Sequence, residues 1–147
     1  KECHMECIEM PIEGFEAGNI YAVLKGHTNK EPLMFSGHMD TVSPGKGKQA
    51  IIHEDGRITS DETTVLGADD VSALASYIEA IRTIKENDLP HGDIELAISV
   101  AEEPYDVGSA YYDCSCIKSR IAYTFDLAGQ VGLAALEAPS IISSSVS

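Results

Sequence analysis

The alternation of apolar and polar positions along the chain predicts several strands and one long helix. Short runs rich in β-branched and aromatic residues, bounded by turn-forming or polar residues, are typical of strands. Between two of these runs, Asp55-Gly56 lies between β-prone flanks, which is typical of a two-residue hairpin turn. The predicted strands are 19–26, 32–37, 93–100, 120–126 and 131–138.

One long helix is predicted to begin near residue 71. Its apolar stripe repeats at steps of three and four residues and consists of Val71, Leu74, Ile78, Ile81 and Ile84. Pro90 follows the stripe and requires a loop. Strands interleaved with such a helix favour an α/β fold with three layers, in which a mostly parallel central sheet is flanked by helices.

Ionisable residues come directly after three of the predicted strands and at the start of the helix. They are His38 and Asp40, Asp69 and Asp70, Glu102 and Glu103, and Asp126. Ligands of open α/β sheets bind beyond the carboxyl ends of the strands, so we expect these residues to converge on one edge. Carboxylates held close together raise one another's pKa, and a divalent cation removes that conflict. Imidazole nitrogen with carboxylate oxygen suits zinc, cobalt or manganese.

The spacing inside two of these pairs suggests separate roles. Residues i and i+2 of an extended segment point the same way, so Asp40 can hold the ring of His38 through its second N–H. Adjacent glutamates on an extended chain point apart, so Glu102 and Glu103 can do different work, one binding metal and one moving protons. Taken singly, each residue has a simpler interpretation. Asp69 and its neighbour could cap the helix, and the others could be polar turns or solvated strand ends.

Four motifs in order resemble a known enzyme family. SGHMDTV, LGADD, AEE followed by Gly108, and FDLAG are similar to the zinc-dependent metallopeptidases related to peptidase T, carboxypeptidase G and the aminoacylases. The segment TTVLGADD is most similar to the corresponding motif of the peptidase T-like, or tripeptidase, branch. Each motif alone is weak, but four in this order, from about residue 18 to 139, are specific. The resemblance implies a zinc-exopeptidase-like catalytic domain.

The resemblance also implies a role for each site residue. Two zinc ions, or Co²⁺ or Mn²⁺ in their place, would share a bridging Asp69, whose peptide bond to Asp70 is expected to be cis. Asp40 would orient a metal-bound histidine, and Glu102 would be the general base for a metal-activated water that hydrolyses peptide bonds in short peptides. The implied metal ligands are His38 and Asp126 for the first ion, Asp69 for both, and Glu103 for the second.

The sequence departs from the family pattern in three places. The second metal of the family also needs a late histidine, and no histidine follows Asp126. Tyr105 stands where relatives usually have glycine, and Val71 where they often have lysine. We therefore expect residues 1–138 to be the N-terminal part of an incomplete catalytic domain, and 139–147 to lead toward a missing lid domain through which relatives dimerise. The 147-residue chain alone is expected to have little or no peptidase activity.

Composition narrows the partners. The chain has 24 acidic and 10 basic residues and a formal charge of −14, so nucleic acids and anionic membranes would repel it, and a short peptide is the expected partner. The four cysteines form no paired zinc framework. No apolar run approaches 18 residues, and nothing resembles a signal peptide, so we expect a cytoplasmic protein.

Two other functions stay open at this point. An amidohydrolase that deacylates N-acyl amino acids would use the same site chemistry. A non-catalytic metal-binding remnant would keep the ligands without the activity. A serine hydrolase is disfavoured because the sequence has no G-x-S-x-G motif.

Overall fold

The computed structural model describes residues 5–130 and 134–135. Two short 3-10 turns, Gly108–Tyr111 and Cys114–Cys116, lie in the chain between the last two strands. The predicted strand 131–138 and the segment 139–147 lie outside the described residues, apart from 134–135. The elements are β1 (Glu6–Met10), β2 (Asn19–Leu24), β3 (Leu33–His38), β4 (Ala50–Ile52), β5 (Ile58–Ser60), α1 (Val71–Glu86), β6 (Ile94–Ser99) and β7 (Ile121–Thr124).

Five strands form a mixed sheet in the order β1-β2-β6-β3-β7. β3 runs parallel to both β6 and β7, whereas β2 is antiparallel to both β1 and β6. Four of the five strands therefore share one direction, although two of the four pairings are antiparallel. The α/β class is confirmed. The carboxyl ends of β3, β6 and β7 meet at the same edge of the sheet, as ligand binding in such folds requires.

The helix α1 packs on one face of this sheet through a stripe that shares Leu74, Ile81 and Ile84 with the predicted one. Ala73, Tyr77 and Ile81 are the buried residues of the helix, and they pack on Ala22 and Leu96 of the strands. Burial of one large apolar side chain of this kind stabilises the fold by about 1.5–3 kcal/mol.

Two members of the predicted stripe do not face the sheet. Val71 is 43% exposed and Ile78 is 45% exposed, so their predicted burial is wrong for the part of the chain that the structure describes. The reason is that the helix contacts the sheet through the side of Tyr77. Val71 and Ile78 lie beside this contact, on a side that no described element covers.

The opposite face of the sheet is covered by the chain between β6 and β7. The described ranges contain one α-helix, α1, so they include no α-helix that covers this second face. Glu95 of β6 points to this face and is 0% exposed. Its carboxylate accepts hydrogen bonds from the Tyr21 hydroxyl (2.8 Å) and from the backbone N–H groups of Lys118 (3.0 Å) and Ser119 (2.9 Å). This carboxylate therefore anchors the segment that leads into β7.

The protonation of Glu95 follows from these contacts. Burial raises the pKa of its carboxyl group, but the hydrogen bonds from Ser119, Tyr21 and Lys118 outweigh burial and hold the pKa below its ordinary value. Glu95 is therefore an ionised, fully buried group at neutral pH, stabilised by donors that already surround it.

The hairpin between β4 and β5 has a longer turn than predicted. Ile52 pairs with Ile58, so the connection has five residues, 53–57, rather than two. Gly56 takes a φ of +85° in this turn, which favours glycine. The Asp55 carboxylate accepts hydrogen bonds from the backbone N–H and the Nε–H of Arg57. This side chain holds the wider turn, a feature that the Asp-Gly pair alone does not reveal.

We predict that Glu95→Gln lowers the free energy of unfolding by about 2–3 kcal/mol, because the new amide group faces N–H donors and leaves one of them unpaired in the interior. Urea denaturation measures this change. The control is Glu79→Gln, which removes an exposed ion pair with Arg82 and should cost less than about 0.5 kcal/mol. Equal losses in both variants would contradict the anchoring role.

The pH dependence provides a second readout. Because the folded-state pKa of Glu95 is lowered, its stabilisation is complete above the unfolded pKa of about 4.3 and is lost as the pH falls through the folded pKa. The stability difference between the natural protein and Glu95→Gln should therefore shrink in acid below that range.

Candidate metal centre

Four elements deliver acidic side chains or an imidazole to one edge of the sheet. His38 is the last residue of β3, Glu102 follows β6 by three residues, and Asp126 follows β7 by two. Asp69 lies just before α1. The structure brings these side chains together, although they are far apart in sequence.

His38 is the centre of the cluster. Its side chain is 2% exposed, and its Nε2 atom lies 3.2 Å from Oδ1 of Asp69. The same atom lies 3.8 Å from Oε2 of Glu102 and 3.8 Å from Oδ2 of Asp126. Two ligands of a tetrahedral zinc ion with bonds of about 2.0–2.1 Å are separated by about 3.3 Å. The spacing and the chemistry of these donor atoms therefore fit a zinc ion.

The other ring nitrogen of His38 is held by Asp40. Nδ1 lies 3.0 Å from the backbone carbonyl oxygen of Asp40 and 3.4 Å from its carboxylate. A proton on Nδ1 can be donated there, which leaves the lone pair of Nε2 for a cation. Burial lowers the pKa of the His38 ring, but the Asp40 carbonyl and the carboxylates of Glu102 and Asp40 outweigh it, so the pKa is raised.

Asp40 also fixes the two glutamates, a contact that sequence reasoning missed. Its Oδ1 accepts a hydrogen bond from the N–H of Glu102 (3.0 Å), and its Oδ2 accepts one from the N–H of Glu103 (3.1 Å). One carboxylate thus ties the end of β3 to the backbone that follows β6. The position of Asp40 beside His38 is as the i, i+2 spacing predicted.

Glu102 and Glu103 do not lie on the extended chain that the sequence analysis assumed. Ala101 has a φ of +53°, and the chain then turns, with the Glu102 carbonyl oxygen accepting from the Asp106 N–H. Both carboxylates consequently approach the centre: Glu102 lies 3.8 Å from Nε2 of His38, and Glu103 can share a cation with His38 and Asp69. Burial raises the pKa of Glu102, the charge of His38 opposes it, and the neighbouring carboxylates of Glu103 and Asp106 raise it further.

Asp70 is a buried residue of the cluster for which the sequence suggested only a helix cap. The peptide bond from Asp69 to Asp70 is cis, as the resemblance implied. Asp70 occupies the N-cap position of α1, but its side chain makes no capping hydrogen bond. Its Oδ2 instead accepts from the backbone N–H of His38 (3.3 Å), and a Cβ at residue 37 would overlap this carboxylate. Gly37 is therefore required for the close approach.

Among the residues that the structure describes, two groups of side chains could hold metal ions, and Asp69 belongs to both. One is His38, Asp69 and Glu103, and the other is Asp69, Asp70 and Asp126, with the ligand atoms of each group within 4.8 Å of one another. The resemblance implied a different grouping, in which Asp126 binds the same ion as His38. Burial, the hydrogen bond with Asp69 and the charges of Asp69 and Asp70 raise the pKa of Asp126 to about 6, which His38 partly opposes.

A cavity of about 370 Å³ opens beside the cluster. Its walls include His38, Glu102 and Asp126, together with Asp106 from the loop after β6. Tyr105 in this loop is 82% exposed and has a φ of +67°, a left-handed conformation that L residues adopt at a cost and glycine adopts freely.

Comparison with known proteins gives the family. Residues 19–136 match peptidase family M28. The chain is 41% identical to the uncharacterized protein YqjE of Bacillus subtilis, over 89% of this chain and 35% of that protein. It is 30% identical to peptidase T of Clostridium perfringens, over 80% of this chain and 36% of that protein.

Solved structures agree. Aminopeptidase PepT of Bacillus cereus superposes with a TM-score of 0.83 at 42% identity and covers 88% of this chain and 36% of its own. A tripeptidase of Staphylococcus aureus gives 0.81 at 31% identity, with 86% of this chain and 35% of its own. The chain spans about a third of the length of these relatives. Since the match covers most of the described residues and includes every motif of the cluster, the chain belongs to peptidase family M28 and resembles peptidase T.

Proposed function

We propose that this protein hydrolyses peptide bonds in short peptides, using a water activated at a metal centre. The observation that carries the proposal is the buried imidazole of His38, whose Nε2 faces the carboxylates of Asp69 before α1 and of Glu102 and Asp126 after parallel strands. Similarity to a peptidase T and to a tripeptidase supports peptides as substrates over N-acyl amino acids. A cytoplasmic location and pairing through a lid domain stay predictions.

The residues that would hold the metal are His38, Asp69, Glu103 and Asp126. Imidazole nitrogen with carboxylate oxygen suits zinc, and cobalt or manganese would also be accepted. Asp69 belongs to both candidate groups, which supports a dinuclear centre with Asp69 as the shared ligand. When bound, the metal supplies a Lewis acid that lowers the pKa of water and stabilises negative charge on oxygen.

Glu102 is the proposed general base. Its carboxylate faces the cavity and lies 3.8 Å from Nε2 of His38, within reach of a water placed among the ligands. Its raised pKa brings it closer to the range in which a base both accepts and returns a proton near neutral pH. Glu102 would take a proton from the attacking water and deliver it to the amine that leaves.

Asp40 would keep this machinery aligned. The N–H groups of Glu102 and Glu103 bind its two carboxylate oxygens, and Nδ1 of His38 lies beside them. The proton on Nδ1 therefore stays directed at Asp40, and the two glutamates keep a fixed distance from the ring. The cavity beside the cluster supplies room for the substrate next to Glu102.

We predict that the intact protein purifies with about one zinc ion or more per chain, and that His38→Ala removes most of it, because the buried nitrogen ligand is lost. Elemental analysis after dialysis measures the content. The matched control is His53→Ala, since His53 lies on the hairpin and bonds Thr59 away from the cluster. Natural protein with far less than one divalent ion per chain would refute the centre.

We predict that Glu102→Gln lowers kcat for tripeptide hydrolysis by about 10²–10⁴-fold, because the amide cannot accept the proton of the attacking water. Zinc content should stay at the natural level. Release of free amine from a panel of tripeptides and N-acyl amino acids measures the rate and separates the peptidase from the deacylase. Glu79→Gln on the exposed face of α1 is the control, and a Glu102→Gln variant with natural kcat would sink the assignment.

A further inference from the structure

The hydroxyl group of Tyr77 joins the two strands that deliver His38 and Asp126. Tyr77 is 2% exposed on α1, and its ring packs on Phe35 with 5.1 Å between ring centroids. Its hydroxyl donates to the carbonyl oxygen of Ser36 (2.9 Å) and accepts from the backbone N–H of Phe125 (3.1 Å). Ser36 precedes His38 by two residues, and Phe125 precedes Asp126 by one.

These two contacts lie at the end of the ladder between β3 and β7. The register of β3 with β7 ends at the pair Ser36 and Thr124. In a parallel ladder, the carbonyl of Ser36 would next accept directly from the N–H of Phe125. The Tyr77 oxygen contacts both of those groups. Two hydrogen bonds of 2.9 and 3.1 Å through this oxygen connect the Ser36 carbonyl to the Phe125 N–H, and so tie both strands to the helix at this point.

The Tyr77 contact lies where the strands reach the cluster. One residue pair earlier, the hydroxyl oxygens of Ser36 and Thr124 lie 2.5 Å apart, so the two strands contact each other directly there. Beyond the Tyr77 hydroxyl, Nε2 of His38 and Oδ2 of Asp126 are 3.8 Å apart, too far for a hydrogen bond and wide enough for a cation to contact both.

We infer that Tyr77 is a positioning residue of the metal centre. Its hydroxyl forms hydrogen bonds with the backbone of both strands where the ladder between β3 and β7 ends, and so sets the separation of His38 and Asp126. The inference rests on the proposed metal centre and adds to it a residue that touches neither metal nor substrate. Tyr77 belongs to the same helix that Asp69 and Asp70 precede. The segment around α1 therefore supplies both candidate ligands and the hydroxyl that contacts the two strands.

The test is Tyr77→Phe in the intact protein, with zinc affinity measured by competition against a chromophoric chelator. Without the hydroxyl, the Ser36 carbonyl and the Phe125 N–H close on each other or stay unpaired, and the distance between the ligands changes. The zinc dissociation constant should rise about 10- to 100-fold, as for other residues that orient metal ligands. The visible absorption of the Co²⁺-loaded variant should also shift, since it reports ligand geometry.

The matched control is Tyr112→Phe, which deletes a tyrosine hydroxyl that donates to the backbone carbonyl of Ile20. Both variants should lose stability in urea, but Tyr112→Phe should keep natural zinc affinity and the natural Co²⁺ spectrum. If Tyr77→Phe does not fold, Tyr77→Met, which also lacks the hydroxyl, takes its place with the same expectation.

The outcomes separate the two proposals. Natural protein that binds no zinc would overturn the metal centre itself. Natural protein that binds zinc, with Tyr77→Phe destabilised but unchanged in affinity and in the Co²⁺ spectrum, would overturn the role of Tyr77 alone and leave a merely structural tyrosine.

Discussion

The hydrogen bond between Nδ1 of His38 and the carbonyl oxygen of Asp40 constrains every other feature of the centre. It fixes the rotation of a ring that is almost fully buried and directs Nε2 toward the carboxylates of Asp69, Glu102 and Asp126. The tautomer follows, because a proton on Nδ1 has an acceptor and a lone pair on Nε2 has a place to bind a cation. Rotation of the ring would leave the acids without their nitrogen partner.

The sheet makes this arrangement possible through the shared direction of three neighbouring strands. β6, β3 and β7 are parallel and end at one edge, so short loops suffice to bring residues from distant parts of the chain together. The loops do not follow regular geometry there. Ala101 and Tyr105 take positive φ values, and Gly37 leaves space for the buried Asp70 carboxylate. Irregular backbone of this kind is common at functional sites, where surrounding contacts hold it in place.

The sequence was sufficient for the elements and for the residues at their ends, because both depend on local patterns. α1 begins at Val71, and the strands that carry His38, Glu102 and Asp126 lie where their apolar runs predict them. Features that depend on tertiary contacts were not predictable. The packing of Tyr77 on the sheet determines which side of α1 is buried. The Asp55 side chain stabilises the longer hairpin turn.

The same limit applies inside the site. The convergence of Glu102 and Glu103 depends on the turn that follows β6, and the hydrogen bond from the His38 N–H to Asp70 depends on Gly37, which lies on a different element from Asp70. Neither follows from a periodic pattern. Resemblance to a family supplied the roles of the residues, because roles are a property of the assembled site and no single motif contains them.

Two carboxylates, one fully buried and one partly exposed, show two ways in which the protein holds negative charge. Glu95 receives hydrogen bonds from Tyr21, Lys118 and Ser119, and its pKa is lowered despite complete burial. Partial burial and the neighbouring carboxylates of Asp69 and Asp70 raise the pKa of Asp126 to about 6, which His38 opposes only in part. Glu95 is stabilised by hydrogen-bond donors of the folded chain, so its negative charge needs no additional partner. The cluster around Asp126 holds more negative charge than its own donors compensate, and a divalent cation is the partner that would balance it.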